Sequence, residues 1–110
     1  MEHYEEALKI CWRATQLDSN NALAYNNKGQ ALEGLQRFQD ALAAYNESIR
    51  LDPNLYLAYK NKGLLLDRLD TGNWLQRRAR KAEARKALRM AQELEGSGIR
   101  KTPWVSPVIR

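Results

Sequence analysis

The chain has 110 residues, 44% of them apolar and 28% charged, with a formal net charge of +5, a length that supports one small domain and excludes a two-domain enzyme. No run approaches the roughly 20 apolar residues that a bilayer span needs. The start Glu2-His3-Tyr4-Glu5-Glu6 is acidic where a secretory signal is basic, and the single Cys11 can form neither an intramolecular disulfide nor a paired zinc site, so a soluble cytoplasmic protein is expected.

From Tyr4 to about Leu17 the chain reads as a helix, and it returns 34 residues later. Tyr4-Glu5-Glu6-Ala7-Leu8 aligns with Phe38-Gln39-Asp40-Ala41-Leu42, and Ala14, Leu17 and Asp18 align with Ser48, Leu51 and Asp52. A second helix starts at Ala22, with Tyr25, Gly29, Leu32 and Leu35 at spacings of three and four on one face. Gln36 and Arg37 leave room only for a tight turn into an antiparallel third helix, Phe38–Leu51. Gly29 and Ala41 have little or no side chain, so these two backbones can approach while Tyr25, Phe38 and Tyr45 fill the space beside them. Asp52-Pro53-Asn54 closes the unit: proline lacks the amide that would continue the helix, and Asn54 is expected to cap the next one.

That next helix, about Leu55–Leu69, copies the second at the same offset of 34, Leu23-Ala24-Tyr25-Asn26-Asn27-Lys28-Gly29 returning as Leu57-Ala58-Tyr59-Lys60-Asn61-Lys62-Gly63. After a turn at Asp70-Thr71-Gly72-Asn73, a long helix is expected over Trp74–Leu94. Its Ala84, Leu88, Ala91 and Leu94 keep the spacing of Ala41, Tyr45, Ser48 and Leu51 but at an offset of 43, an insertion of nine residues. A face of Leu75, Ala79, Ala82, Leu88, Ala91 and Leu94 is expected to dock on the preceding pair. Gly96-Ser97-Gly98 is expected to end the helix, leaving 96–110 as an extended or disordered tail in which Trp104 and Val105 either stay loose or dock as a tethered peptide.

Tyr25, Gly29, Leu32, Ala41, Tyr45, Ser48 and Pro53 together resemble a tetratricopeptide repeat, matching its aromatic, small, large, small, aromatic, small and proline positions in order. The resemblance implies an all-α, right-handed solenoid of antiparallel helix pairs. Residues 1–95 would form one domain, with a half repeat at 4–18, a full repeat at 22–54 and a third at 55–94 whose second helix is long and basic. Lys28 and Lys62 depart from the family's usual leucine; a lysine stem can lie along apolar surface with its amine in water.

Catalysis fails on inventory. His3 is the only histidine and sits beside a terminus, and Cys11 takes the register position of Tyr45 with no base to activate it. The glycines form no phosphate loop. No enzyme activity, cofactor or metal is expected, which leaves binding of a partner protein or peptide.

The resemblance places first helices on the concave side of the solenoid. Projected onto it, Leu23, Asn26, Asn27, Gln30 and Glu33 line that side, followed one repeat on by Leu57, Lys60, Asn61, Leu64 and Asp67. Asn27 and Asn61 either hydrogen-bond the backbone of a bound peptide or helix, or are solvated amides or helix-to-helix bonds. Some relatives clamp an acidic C-terminus with asparagines and basic residues over three first helices; here only two first helices exist, and Leu23, Leu57 and Leu64 replace polar members. At the other helix, Ile10, Cys11 and Trp12 align with Ala44, Tyr45 and Asn46, an apolar end patch expected to be covered by a second copy, by Trp104 and Val105, or by a partner.

Charge is unevenly spread: residues 1–70 hold eight Lys/Arg against ten Asp/Glu, and 71–110 ten against three. Arg77, Lys81, Arg85 and Arg89 lie four apart as a basic stripe. A solvated capping helix, an acidic partner, and nucleic acid or lipid are its three readings; no aromatics are interleaved to stack on bases.

Overall fold

The computed structural model describes residues 2–69 and 72–100. Over them it has five helices and no strand: α1 (Glu2–Leu17), α2 (Ala22–Gly34), α3 (Phe38–Leu51), α4 (Tyr56–Arg68) and α5 (Trp74–Arg100). The expected all-α solenoid of antiparallel pairs is the observed fold, with α2 on α3, α4 on α5, and α1 against α2 as a second helix whose own first helix is absent from the described residues.

The links follow from a few polar residues. Asp18 and Asp52 each accept the backbone amide two residues on, from Asn20 and Asn54, at 3.0 Å, so both inter-pair turns are the same Asx turn. One residue later the copies differ: Asn21 caps α2 by accepting from the Ala24 amide at 3.0 Å, whereas Leu55 holds that position before α4 and has no side-chain cap. The expectation that Asn54 caps α4 is therefore corrected, because Asn54 lies one residue too early and belongs to the turn. Asn73 and Gln76 open α5 as a reciprocal capping box, each side chain bonding the other's amide at 2.8 and 3.0 Å. Between α2 and α3, Gln36 takes φ 63° and the Arg37 amide reaches back to the Leu32 carbonyl at 2.8 Å, a Schellman turn with glutamine in the left-handed position.

Within each pair a glycine lets the partner helix close in. A Cβ on Gly29 would stand 2.4 Å from the Tyr45 ring, and one on Gly63 would stand 2.6 Å from Leu88. Leu32, Ala41, Ala44, Tyr45 and Leu65 form the core cluster, with Leu8, Phe38, Leu42 and Leu69 packed around it. Ser48 is fully buried and donates to the Ala22 carbonyl at 2.7 Å, tying the end of α3 to the start of α2.

The displaced register of the last pair is visible in three dimensions. One groove is lined by Tyr25, Lys28, Asp40, Ala43, Ala44 and Glu47, another by Tyr59, Lys62, Glu83, Lys86, Ala87 and Met90, and the second set is the first moved by 34 on α4 and by 43 on α5. Lys81 thus stands where Phe38 does. Seven of the inserted residues lengthen the start of α5 and two lengthen its leading link. The lysines that replace the family's leucine are not simply capped by water: Lys62 Nζ pairs with Glu83 at 3.2 Å, and Lys28 Nζ stands 5.7 Å from the Tyr25 ring centroid.

Two expectations for this helix are corrected. Leu75, Ala79 and Ala82 are exposed, while Ala84, Ala87 and Ala91 are buried against α4; the seven extra residues carry the start of α5 past the point where α3 begins. The helix also continues through Gly96 and Gly98 to Arg100, so the expected tail begins later than residue 96. A glycine in a helix costs about 1 kcal/mol against alanine and does not by itself end one. No helix among the described residues is long and apolar enough to cross a membrane.

Candidate binding surface

The first helices α2 and α4 lie side by side, joined by a hydrogen bond between two side-chain amides. Asn61 Nδ2 on α4 donates to Asn26 Oδ1 on α2 at 2.9 Å, and Asn26 is only 2% exposed. Asn26 is therefore a structural residue and not a lining one, which corrects its placement among the groove residues. Asn61, half buried, has one of its two amide hydrogens committed to that bond. Asn27 has no such tie among the described hydrogen bonds and is open to solvent. The two asparagines one repeat apart are thus not equivalent, and Asn27 is the one whose amide faces solvent.

A second polar cluster stiffens the same face. Tyr45 sends its hydroxyl through from α3 to donate to Glu33 Oε1 at 2.6 Å, and Arg68 forms an ion pair with the same carboxylate. Burial pushes the Tyr45 hydroxyl up to about 12. Glu33 is consequently an anchored acceptor whose charge is offset by Arg68. Together with Tyr4, Gln30, Gly34 and Asn61 these residues line one shallow depression of about 360 Å³. Arg68 and Tyr4 were missed from sequence. Arg68 carried a signal, since the 34-residue register sets it at the position of Gly34, where a side chain is gained.

The remaining expected residues of α2 and α4 differ in exposure and partners. Leu23 and Leu64 are 50% and 46% exposed. Gln30 and Lys60 are exposed, and Leu57 is half buried. Asp67 is turned to α5, where its carboxylate and its carbonyl hold Lys81 Nζ at 3.0 and 2.7 Å. The basic stripe is split by that contact: Lys81 is held by Asp67, Arg77 is also engaged, and Arg85 and Arg89 are exposed.

The apolar end is not one patch. Ile10 and Trp12 are both exposed, but two residues along a helix lie about 200° apart. Trp12 borders the groove of Leu8, Tyr25 and Lys28, while Ile10 borders another of Ala7, Cys11, Asn27 and Gln30. Cys11 is buried, and burial raises its thiol above the ordinary cysteine value, with Lys28 opposing. Trp104 and Val105 lie outside the described residues. Among the described residues no group of three or more histidine, cysteine, aspartate or glutamate side chains is arranged to hold a metal.

Residues 22–55 match the family model of the tetratricopeptide repeat. Among solved structures, the crystal structure of MamA superposes with a TM-score of 0.70 over 89% of this chain at 23% identity. That likeness shows the fold, and this chain covers 52% of the MamA chain, about half its length. Comparison with curated proteins returns no match.

Proposed function

We propose that this tetratricopeptide-repeat chain acts by binding alone, holding a peptide or helix of a partner protein on the face built by α2 and α4. Repeats of this family mediate protein–protein interactions, which sets the general role; the groove is our finer reading. What supports it is that α2 and α4 each carry one open leucine, Leu23 and Leu64, and that hydrogen bonds already made inside the protein hold these helices. A surface held in place before binding loses little side-chain freedom when a ligand arrives. Apolar ground beside open amides at Asn27 and Gln30 suits a ligand that buries a few side chains and presents backbone groups.

Selection of displayed peptides on the intact chain tests this reading. Enriched peptides should bind at about micromolar strength and lose at least tenfold on Leu23→Glu with Leu64→Glu. Peptides that bind both proteins equally would move the site elsewhere, and a selection that enriches nothing would remove the groove as a peptide receptor.

A further inference from the structure

The α1 helix bears a stripe that is complementary to itself. His3, Ala7, Ile10, Ala14 and Leu17 recur at alternating spacings of four and three, which sets them in one line along the helix, the spacing by which two helices interlock. Ile10 is 68% exposed and Leu17 84%. The stripe opens on a groove of about 350 Å³ with Cys11 and Ala31 beneath, and Asn27 and Gln30 of α2 on the far side.

One repeat later the same positions are covered. Ala7, Ile10, Cys11 and Ala31 correspond to Ala41, Ala44, Tyr45 and Leu65, all buried, and α2 lies along that flank of α3 with Gly29 against Tyr45. Because α2 runs antiparallel to α3, the groove beside α1 is shaped for a helix running antiparallel to α1.

We propose that this helix is α1 of a second copy of the chain, packed about a two-fold axis at Ile10. About that axis the stripe reads alike from both directions: Ile10 meets Ile10, Ala7 meets Ala14, and His3 meets Leu17. Two alanine layers let the backbones come close on either side of the isoleucines. Charge selects the same orientation. Glu6 and Arg13 sit on one edge of the stripe, on opposite sides of Ile10, so antiparallel packing sets each Glu6 beside an Arg13, whereas parallel packing turns that edge away from its copy and leaves both charges without these partners. The corresponding flank of α5 is not a second such stripe, since it has Arg85 and Gln92 where α3 has Leu42 and Ile49. This inference does not depend on the peptide-binding reading.

Sedimentation velocity of the intact chain from about 1 to about 100 micromolar tests it. The 12.7 kDa chain should shift to twice its mass, and Ile10→Glu should abolish the shift. Glu6→Arg and Arg13→Glu should each weaken association by about tenfold or more, and the two together should restore it. Glu6 and Arg13 are exposed, so the charge exchange is informative even where Ile10→Glu perturbs α1. A wild-type chain that stays monomeric throughout, a dimer indifferent to Ile10→Glu, or a double exchange as weak as either single one with its helical circular dichroism intact would overturn the proposal.

Discussion

Asn61 of α4 holds the buried carboxamide oxygen of Asn26 on α2 at 2.9 Å, while Asn27, the residue that Asn61 repeats, has an open side chain. The same residue type at the same register position is therefore tied between helices in one repeat and open to solvent in the other. Asn61→Ala would leave the Asn26 oxygen buried without that donor, a loss of about 1–3 kcal/mol. Asn27→Ala, on the surface, should change stability by no more than about 0.5 kcal/mol while weakening peptide binding. Urea unfolding of the two variants separates them, and equal midpoints would deny the Asn26–Asn61 bond its structural role.

Gly29 and Gly34 both face aromatic rings, yet their alanine variants should differ. A Cβ at Gly29 would stand 2.4 Å from the ring of Tyr45, which is fully buried and held by Glu33. Overpacking of about 1–3 kcal/mol should exceed the gain of about 1 kcal/mol from helix propensity, so Gly29→Ala should be destabilising. At Gly34 the Cβ would stand 2.3 Å from the ring of Tyr4, which is 44% exposed and can swing outward. Gly34→Ala should accordingly stay within about 1 kcal/mol of the parent chain. Thermal melts of the two variants, compared side by side, check the contrast.

Tyr45 also gives the fold an alkaline limit. Its hydroxyl is pushed by burial from 10.0 to about 12, so the folded chain keeps the proton over a range in which the unfolded chain releases it. The associated stability is complete below pH 10 and is lost as pH rises through about 12, amounting to about 3 kcal/mol. Tyr45→Phe has no proton to lose there. The stability difference between the parent chain and Tyr45→Phe should narrow across that interval in favour of the variant, and parallel pH profiles would contradict the assignment to Tyr45.

The repeat was legible because its signals are local and periodic: Tyr25, Gly29, Ala41 and Tyr45 repeat small and large volumes at helical spacing, and Asp18 and Asp52 mark identical turns. What escaped depends on partners distant in the chain. Asn26 is buried because Asn61 reaches it from another helix, and a polar side chain carries no mark of such a partner. The facing of α5 was obscured because alanine occurs on both its buried and its open sides, Ala84 and Ala87 against Ala79 and Ala82, so volume and hydropathy do not separate the faces. The angle between Ile10 and Trp12 was available from helix geometry alone, and it divides what looked like one apolar patch into two.

The turn from α2 to α3 stores a correctable cost. Gln36 sits at φ 63°, the left-handed region in which a Cβ meets the neighbouring carbonyl at about 1–2 kcal/mol, and glycine is the usual residue at this place in a Schellman turn. The Gln36 side chain is exposed, so its removal loses little packing. Gln36→Gly relieves the steric term but adds backbone freedom to the unfolded chain, worth about 0.5–1 kcal/mol in the other direction. The balance favours the variant by about 0.5 kcal/mol, whereas Gln36→Val, β-branched and strained at positive φ, should lose about 1 kcal/mol or more. Equilibrium urea unfolding of both variants with unchanged slope measures these differences; a valine variant as stable as the glycine one would show that the left-handed turn is not maintained in solution.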